Sequence, residues 1–122
     1  MGSSRVRVMK IVINKRENHH RGLLLHLSSG GKNASLVLTF HAQERMRLWG
    51  LSEKRVLESL LYPEEVLIGH RGRYIAHRRY GLHLVRVIYE YEGGVPVLIT
   101  VYYPFADRYF EGGEKYADKI LP

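Results

Sequence analysis

A chain of 122 residues, 45% of them apolar, is long enough for one domain with a core of its own. It holds no cysteine, which excludes disulfide frameworks, thiolate metal sites and cysteine nucleophiles, and favours a reducing, cytoplasmic setting. The formal charge of +7 is uneven: residues 1–40 carry seven Lys/Arg against one acid, residues 41–86 nine against five, and residues 87–122 three against six. That asymmetry suits an anionic partner on one side, and equally a solvated basic surface with none.

From the amino terminus, Arg5 to Met9 alternates polar and apolar as a half-buried strand does. A polar stretch, Asn14 to Arg21, separates it from a second expected strand at Leu23–Leu27, and Ser28 to Asn33 has the composition of a loop. Residues 1–35 therefore read as an amino-terminal extension, a β-hairpin, ahead of an α+β domain over 36–122. No secretory signal is expected at Met1 to Arg5, and runs such as Val97 to Ile99 are far too short to span a bilayer, so no membrane partner is expected.

Two helices follow the short apolar run Leu36–Phe40. Thr39 is placed to cap the first, His41–Trp49, whose Ala42, Met46 and Trp49 recur on one side; Gly50 suits the left-handed stop. Ser52 caps the second, Glu53 puts negative charge at its positive end, and Val56, Leu57, Leu60 and Leu61 make its apolar face before Pro63 closes it. The period then changes to two. Val66–Ile68, Tyr74–Tyr80, Leu82–Tyr91 and Val95–Tyr103 are strand-like, and the Gly93-Gly94 pair marks a hairpin. Gly81 fits either a tight turn or a bulge in one long strand. Lys115 to Leu121 reads as a short terminal helix or a frayed end. The expected fold is α+β, two helices packed on an antiparallel meander.

Alternation along the long strand separates Val85 and Val87 from Arg86. Val85/Val87 and Val97/Ile99/Val101 are the sets expected to face the helices, which leaves Arg86, Thr100 and Tyr102 together on the opposite face. A mid-strand arginine there is a candidate functional group, although a cross-strand carboxylate would explain it equally well. The cluster Arg71, Arg73, Arg78 and Arg79 with Tyr74 is basic with interleaved aromatics, a pattern suited to RNA because arginine forks onto phosphate and tyrosine stacks on unpaired bases. His41, Glu44 and Arg45 share a turn of the first helix. No histidine has a zinc-ligand spacing, and phosphate-loop, nucleophile-elbow and paired-carboxylate motifs are absent, so neither metal nor cofactor is expected.

The run Thr39-Phe40-His41-Ala42-Gln43-Glu44-Arg45-Met46, then Gly50-Leu51-Ser52-Glu53, Tyr62-Pro63, Leu84 to Tyr89 and Ile99 to Tyr102, resembles an uncharacterised domain family that opens on Phe-x-x-His-Ala-x-x-Arg-Met. That family is similar to BrnT-type toxins and, more remotely, to the RelE/ParE toxin superfamily. Here the phenylalanine directly precedes His41, a departure in spacing. The resemblance implies a RelE-like fold and an RNA-directed toxin, a metal-independent endoribonuclease of a toxin–antitoxin pair with an antitoxin protein as partner. RNA cleavage needs a base for the 2′-hydroxyl, an acid for the leaving oxygen and cations for the phosphorane. In that chemistry His41 is the candidate base or acid, Arg45 and Arg86 the phosphate clamps, and Tyr102 the group orienting the scissile bond. The alternative is a non-catalytic module binding RNA or protein; a homodimer through a sheet edge is a further expectation.

Overall fold

Two strand meanders meet in the middle of one sheet. The computed structural model describes residues 7–109 and 115–121. In chain order it has β1 (Ile11–His19), β2 (Gly22–Ser29), β3 (Lys32–Thr39), α1 (Phe40–Trp49), α2 (Glu53–Leu61), β4 (Glu65–Ile68), β5 (Tyr74–Tyr80), β6 (His83–Glu92) and β7 (Val95–Tyr102). The seven strands are ordered β1-β2-β3-β7-β6-β5-β4. Every neighbouring pair is antiparallel except β3 and β7. The helices carry the chain from the centre to the far edge, and the second meander returns to lie parallel to β3. Residue 35, where the sequence suggests a boundary, lies within β3, so β1–β3 are continuous with the rest of the sheet.

Both helices start as their caps dictate. The Thr39 hydroxyl accepts the Ala42 amide, and the Ser52 hydroxyl accepts that of Arg55. Gly50 stops α1 at φ 65°, a left-handed conformation that glycine adopts without a Cβ penalty. Val56, Leu57, Leu60 and Leu61 of α2 are buried, as are Ala42 and Met46 of α1. They close a core with Leu25, Leu36, Leu38, Val66, Ala76, Val85, Val87, Leu98 and Val101 on the sheet.

Four local expectations change. The first strand is β1 at Ile11–His19, built largely from the polar stretch; residues 7–10 are outside any strand, and Arg5 and Val6 lie outside the described residues. An edge strand with one face toward solvent carries polar residues without penalty, so alternation there is a weak guide. Trp49 is not with Ala42 and Met46 in the core but 42% exposed. Val97 and Ile99 do not line the helix-side core, whereas Leu98 and Val101 do. The cause is a bulge: Ile88 pairs with Thr100 but Tyr89 pairs with Leu98, so Ile99 is an extra residue and the strand inverts its faces around it. Lys115–Leu121 is not helical; Tyr116 bridges Val66 beside β4. Gly81, at φ 63°, makes a tight turn between separate strands. No helix among the described residues is long and apolar enough to cross a membrane.

Candidate functional site

The register of the second meander builds a polar row across four strands. Glu65 on β4 is directly opposite His77 on β5, His77 opposite Arg86 on β6, and Arg86 opposite Tyr102 on β7. Their chain neighbours Val66, Ala76, Val87 and Val101 belong to the helix-side core, so the row lies on the face turned away from the helices. That face is not open here. Glu65 is 1% exposed and His77 is fully buried. Beyond β7 the chain folds back along the sheet: Ala106 is buried and its amide donates to the Leu82 carbonyl, and the Tyr109 ring sits over Arg86. The chain is next described at Lys115, whose carbonyl accepts the Val66 amide at the outer side of β4.

Arg86 is half-buried, and its guanidinium carbon is 4.5 Å from the centre of the Tyr109 ring. Burial pulls its pKa down, while Tyr109, Glu65 and Tyr102 nearby pull it back up. An arginine stays charged regardless, so burial here is a desolvation cost rather than a loss of charge. Other arginines discharge that cost on carboxylates: Arg16 on Glu53 at 2.6 Å, Arg21 on Glu92 at 2.8 Å, and Arg73 on Glu90 at 3.0 Å. Among the described residues Arg86 has no carboxylate partner; its contact is the aromatic ring. It lies in a cleft of about 340 Å³ whose other lining residues are Trp49, Tyr102, Tyr103, Pro104 and Tyr109. The chain's single tryptophan is thus a wall of this cleft.

Below Arg86, burial and then the arginine's charge push His77 down to about 4, so the imidazole is neutral near pH 7. Its Nε2 is 4.0 Å from Glu65 Oε1, and neither ring nitrogen has a hydrogen-bond partner among the described residues. The same face of β1–β3 carries a contrasting row that is closed on itself. There His26 Nδ1 is 2.8 Å from Ser35 Oγ and its Nε2 is 2.5 Å from Glu17 Oε2.

The sequence-predicted residues divide accordingly. Arg86 and Tyr102 are brought together as cross-strand partners lining one cleft. His41 and Arg45 lie on the first turns of α1, His41 exposed, and the residue of α1 that lines the Arg86 cleft is Trp49. The basic cluster is split between faces. Arg71, in a left-handed turn at φ 59°, and Arg73 border a shallow groove reaching Thr100 and Tyr102. Tyr74 turns to the helix side and stacks on Tyr89 at 5.4 Å. Arg78 donates to the Tyr62 carbonyl at 2.8 Å, and the Arg79 amide donates to Glu64. Glu65, His77, Trp49 and Tyr109 were not singled out by sequence. Alternation in β5 puts His77 on the face away from Ala76, but it does not show that this face is buried there. No three His, Asp or Glu among the described residues cluster as a metal site.

A half-buried arginine in an aromatic cleft is thus the candidate site of a small α+β domain with a mostly antiparallel sheet. The family described as a domain of unknown function (DUF4258) matches residues 38–103, more than half of the chain, and the chain belongs to that family. No curated protein and no solved structure matches it.

Proposed function

We propose that the chain is an RNA-directed, toxin-like domain, RelE-like in fold and akin to BrnT-type toxins, which holds a phosphate of single-stranded RNA on Arg86. Flanking bases stack on Trp49, Tyr102 and Tyr109. One observation carries the reading: Arg86 is half-buried with its guanidinium on the Tyr109 ring and in no close ion pair among the described residues, Glu65 acting on it from further off, so an incoming anion gains a charge-assisted contact without first breaking a direct ion pair. The aromatic walls favour a ligand with flat faces, and nucleobases stack on such rings whatever their sequence. In the catalytic form of this reading the domain is a metal-independent endoribonuclease neutralised by an antitoxin protein, and Tyr102, 43% exposed and the cross-strand partner of Arg86, is the candidate group to orient the scissile bond.

The second reading is a non-catalytic RNA-binding module. It is favoured by the sealed position of His77 and by a cleft lining drawn from α1 only through Trp49, away from His41 and Arg45. Incubating the protein and an Arg86→Ala variant with total RNA separates the two, with Trp49 fluorescence reporting binding. Cleavage and quenching by the wild type alone support the endoribonuclease. Quenching without cleavage supports the binding module. Neither, across a range of salt, refutes an RNA site at Arg86.

A further inference from the structure

We infer that the Arg86 site takes its anion together with a proton, with His77 as the positioning residue that accepts the proton between Arg86 and Glu65. This deepens the reading above and rests on it: the substrate class is a phosphodiester, recognised by an Arg–His pair instead of by arginine alone.

The geometry is a fixed stack on one sheet face. His77 is directly opposite Arg86 on one side and Glu65 on the other, so each neighbour has an opposite claim on its charge. The guanidinium disfavours an imidazolium, while Glu65 Oε1, 4.0 Å from Nε2, is the acceptor that faces one. In the ligand-free protein the first influence, added to full burial, prevails, and His77 is held near 4, well below its usual 6.5. The ring is fully buried, and among the described residues neither of its nitrogens has a hydrogen bond. An apolar residue would fill the same space more cheaply.

A phosphodiester on Arg86 changes the balance. It neutralises the charge opposing the imidazolium, while Glu65 remains on the other side. The other groups around His77 do not reverse this. Arg79 shares its strand and face two residues on and keeps its own neighbours, with its amide on Glu64. The Glu64 amide donates to the His77 carbonyl, and its side-chain oxygen accepts the Arg79 amide, so its carboxyl group sits beside Arg79 and brings no cation to His77. Tyr102 and Tyr109 lie beyond Arg86, one across the strand and one over the guanidinium, and bring no acidic or basic side chain to His77. The affinity of the bound state for a proton therefore rises, and by linkage RNA binds more tightly as pH falls from the normal histidine range toward 4. The limit is about tenfold per pH unit for one proton.

The test is calorimetric titration of the whole chain with a short single-stranded RNA lacking terminal phosphates, so that the ligand itself does not titrate. It is run at about pH 5.5 in two buffers of different ionisation heat. Expected is a difference in heat equivalent to about one proton taken up per RNA bound, together with an imidazolium signal from His77 by nuclear magnetic resonance in the complex only. A His77→Gln variant is expected to bind RNA with the proton uptake and the pH dependence both gone. Equal heats in the two buffers, a His77 ring that stays neutral in the complex, or uptake that persists in His77→Gln overturns the inference while leaving RNA binding intact. If RNA is not bound at all, the RNA reading falls and this inference falls with it. Should His77→Gln fail to fold, the wild-type heats and the His77 signal decide alone.

Discussion

Arg86→Met separates a functional arginine from a structural one. Methionine keeps the alkyl stem and its packing but removes the charge. The folded chain then loses a cation–π contact with Tyr109, worth about 0.5–1 kcal/mol at a partly exposed position. It also no longer desolvates a cation that lacks a carboxylate, and exchanging buried charge for apolar volume is neutral to stabilising by about 1–4 kcal/mol. Arg86 is only half-buried, so the lower end applies, and the net expectation is stability unchanged or raised by about 1 kcal/mol. Binding moves the other way. Hydrogen bonds to a charged partner are worth about 1.5–3 kcal/mol, so RNA affinity should fall about 10- to 150-fold. Its salt dependence should lose about 0.7 from the log–log slope, the signature of one phosphate contact on a single strand. Urea unfolding followed by Trp49 fluorescence gives the first quantity, and fluorescence anisotropy of a labelled oligonucleotide over a salt series gives the second. Destabilisation beyond about 1.5 kcal/mol with RNA affinity unchanged would refute the argument. It would make Arg86 a structural counter-charge to Glu65.

Three further outcomes follow from packing and charge. Gly22→Ala should destabilise by about 3 kcal/mol or prevent folding, because a Cβ there would sit 2.1 Å from the Leu38 carbonyl oxygen on the neighbouring strand; thermal unfolding checks it. Thr39→Val should cost about 1–2 kcal/mol in chemical unfolding, since the hydroxyl both accepts the Ala42 amide and donates to the Leu98 carbonyl at 2.8 Å. The Arg16 hydrogen bond holds Glu53 below its usual 4.5, so the pair's contribution is present above about 4.5 and is lost as pH falls through the lowered value. Wild type and Arg16→Gln should therefore differ by under about 1 kcal/mol at neutral pH and converge in acid, as urea midpoints against pH would show.

The parts of the fold that were legible share a local cause. α2 has a cap, a charged first turn, a four-residue apolar stripe and a proline stop, all within a dozen residues, and it forms where those signals place it. The Arg86–Tyr102 pairing was legible because both lie beyond the bulge on the same side of it, so the alternation read from Val87 and Val101 holds. The faces of Val97 and Ile99 were not, because one inserted residue reverses every side chain after it and nothing in the run Val97 to Val101 marks the insertion. His77 and Glu65 were missed for a different reason. Their register is local, but they are 0% and 1% exposed on a face that alternation leaves to solvent, and the alternation rule knows only the two faces of a strand.

Thr39 explains why the cleft forms at this end of the sheet. β3 pairs with β7 at Val37 and Leu38, and then Thr39 turns the chain away into α1. Its hydroxyl takes the Leu98 carbonyl just before the Ile99 bulge, where a continuing strand would have laid its next ladder bond. The far half of β7 therefore has α1 beside it in place of a strand, and the last residue of that helix, Trp49, arrives next to Tyr102 and Arg86 as a wall. On the other side the chain runs on past the end of β7 at Tyr102, the Pro104 carbonyl accepts the Leu84 amide, and the chain brings Tyr109 over the guanidinium. One wall is thus set by where β3 stops and the other by where the chain beyond β7 turns. The arginine between them is held by the two-residue pleat of β6, paired on both sides. A ligand entering there meets a fixed charge and two aromatic walls set by different segments, an arrangement that can hold a phosphate in one place while tolerating different bases around it.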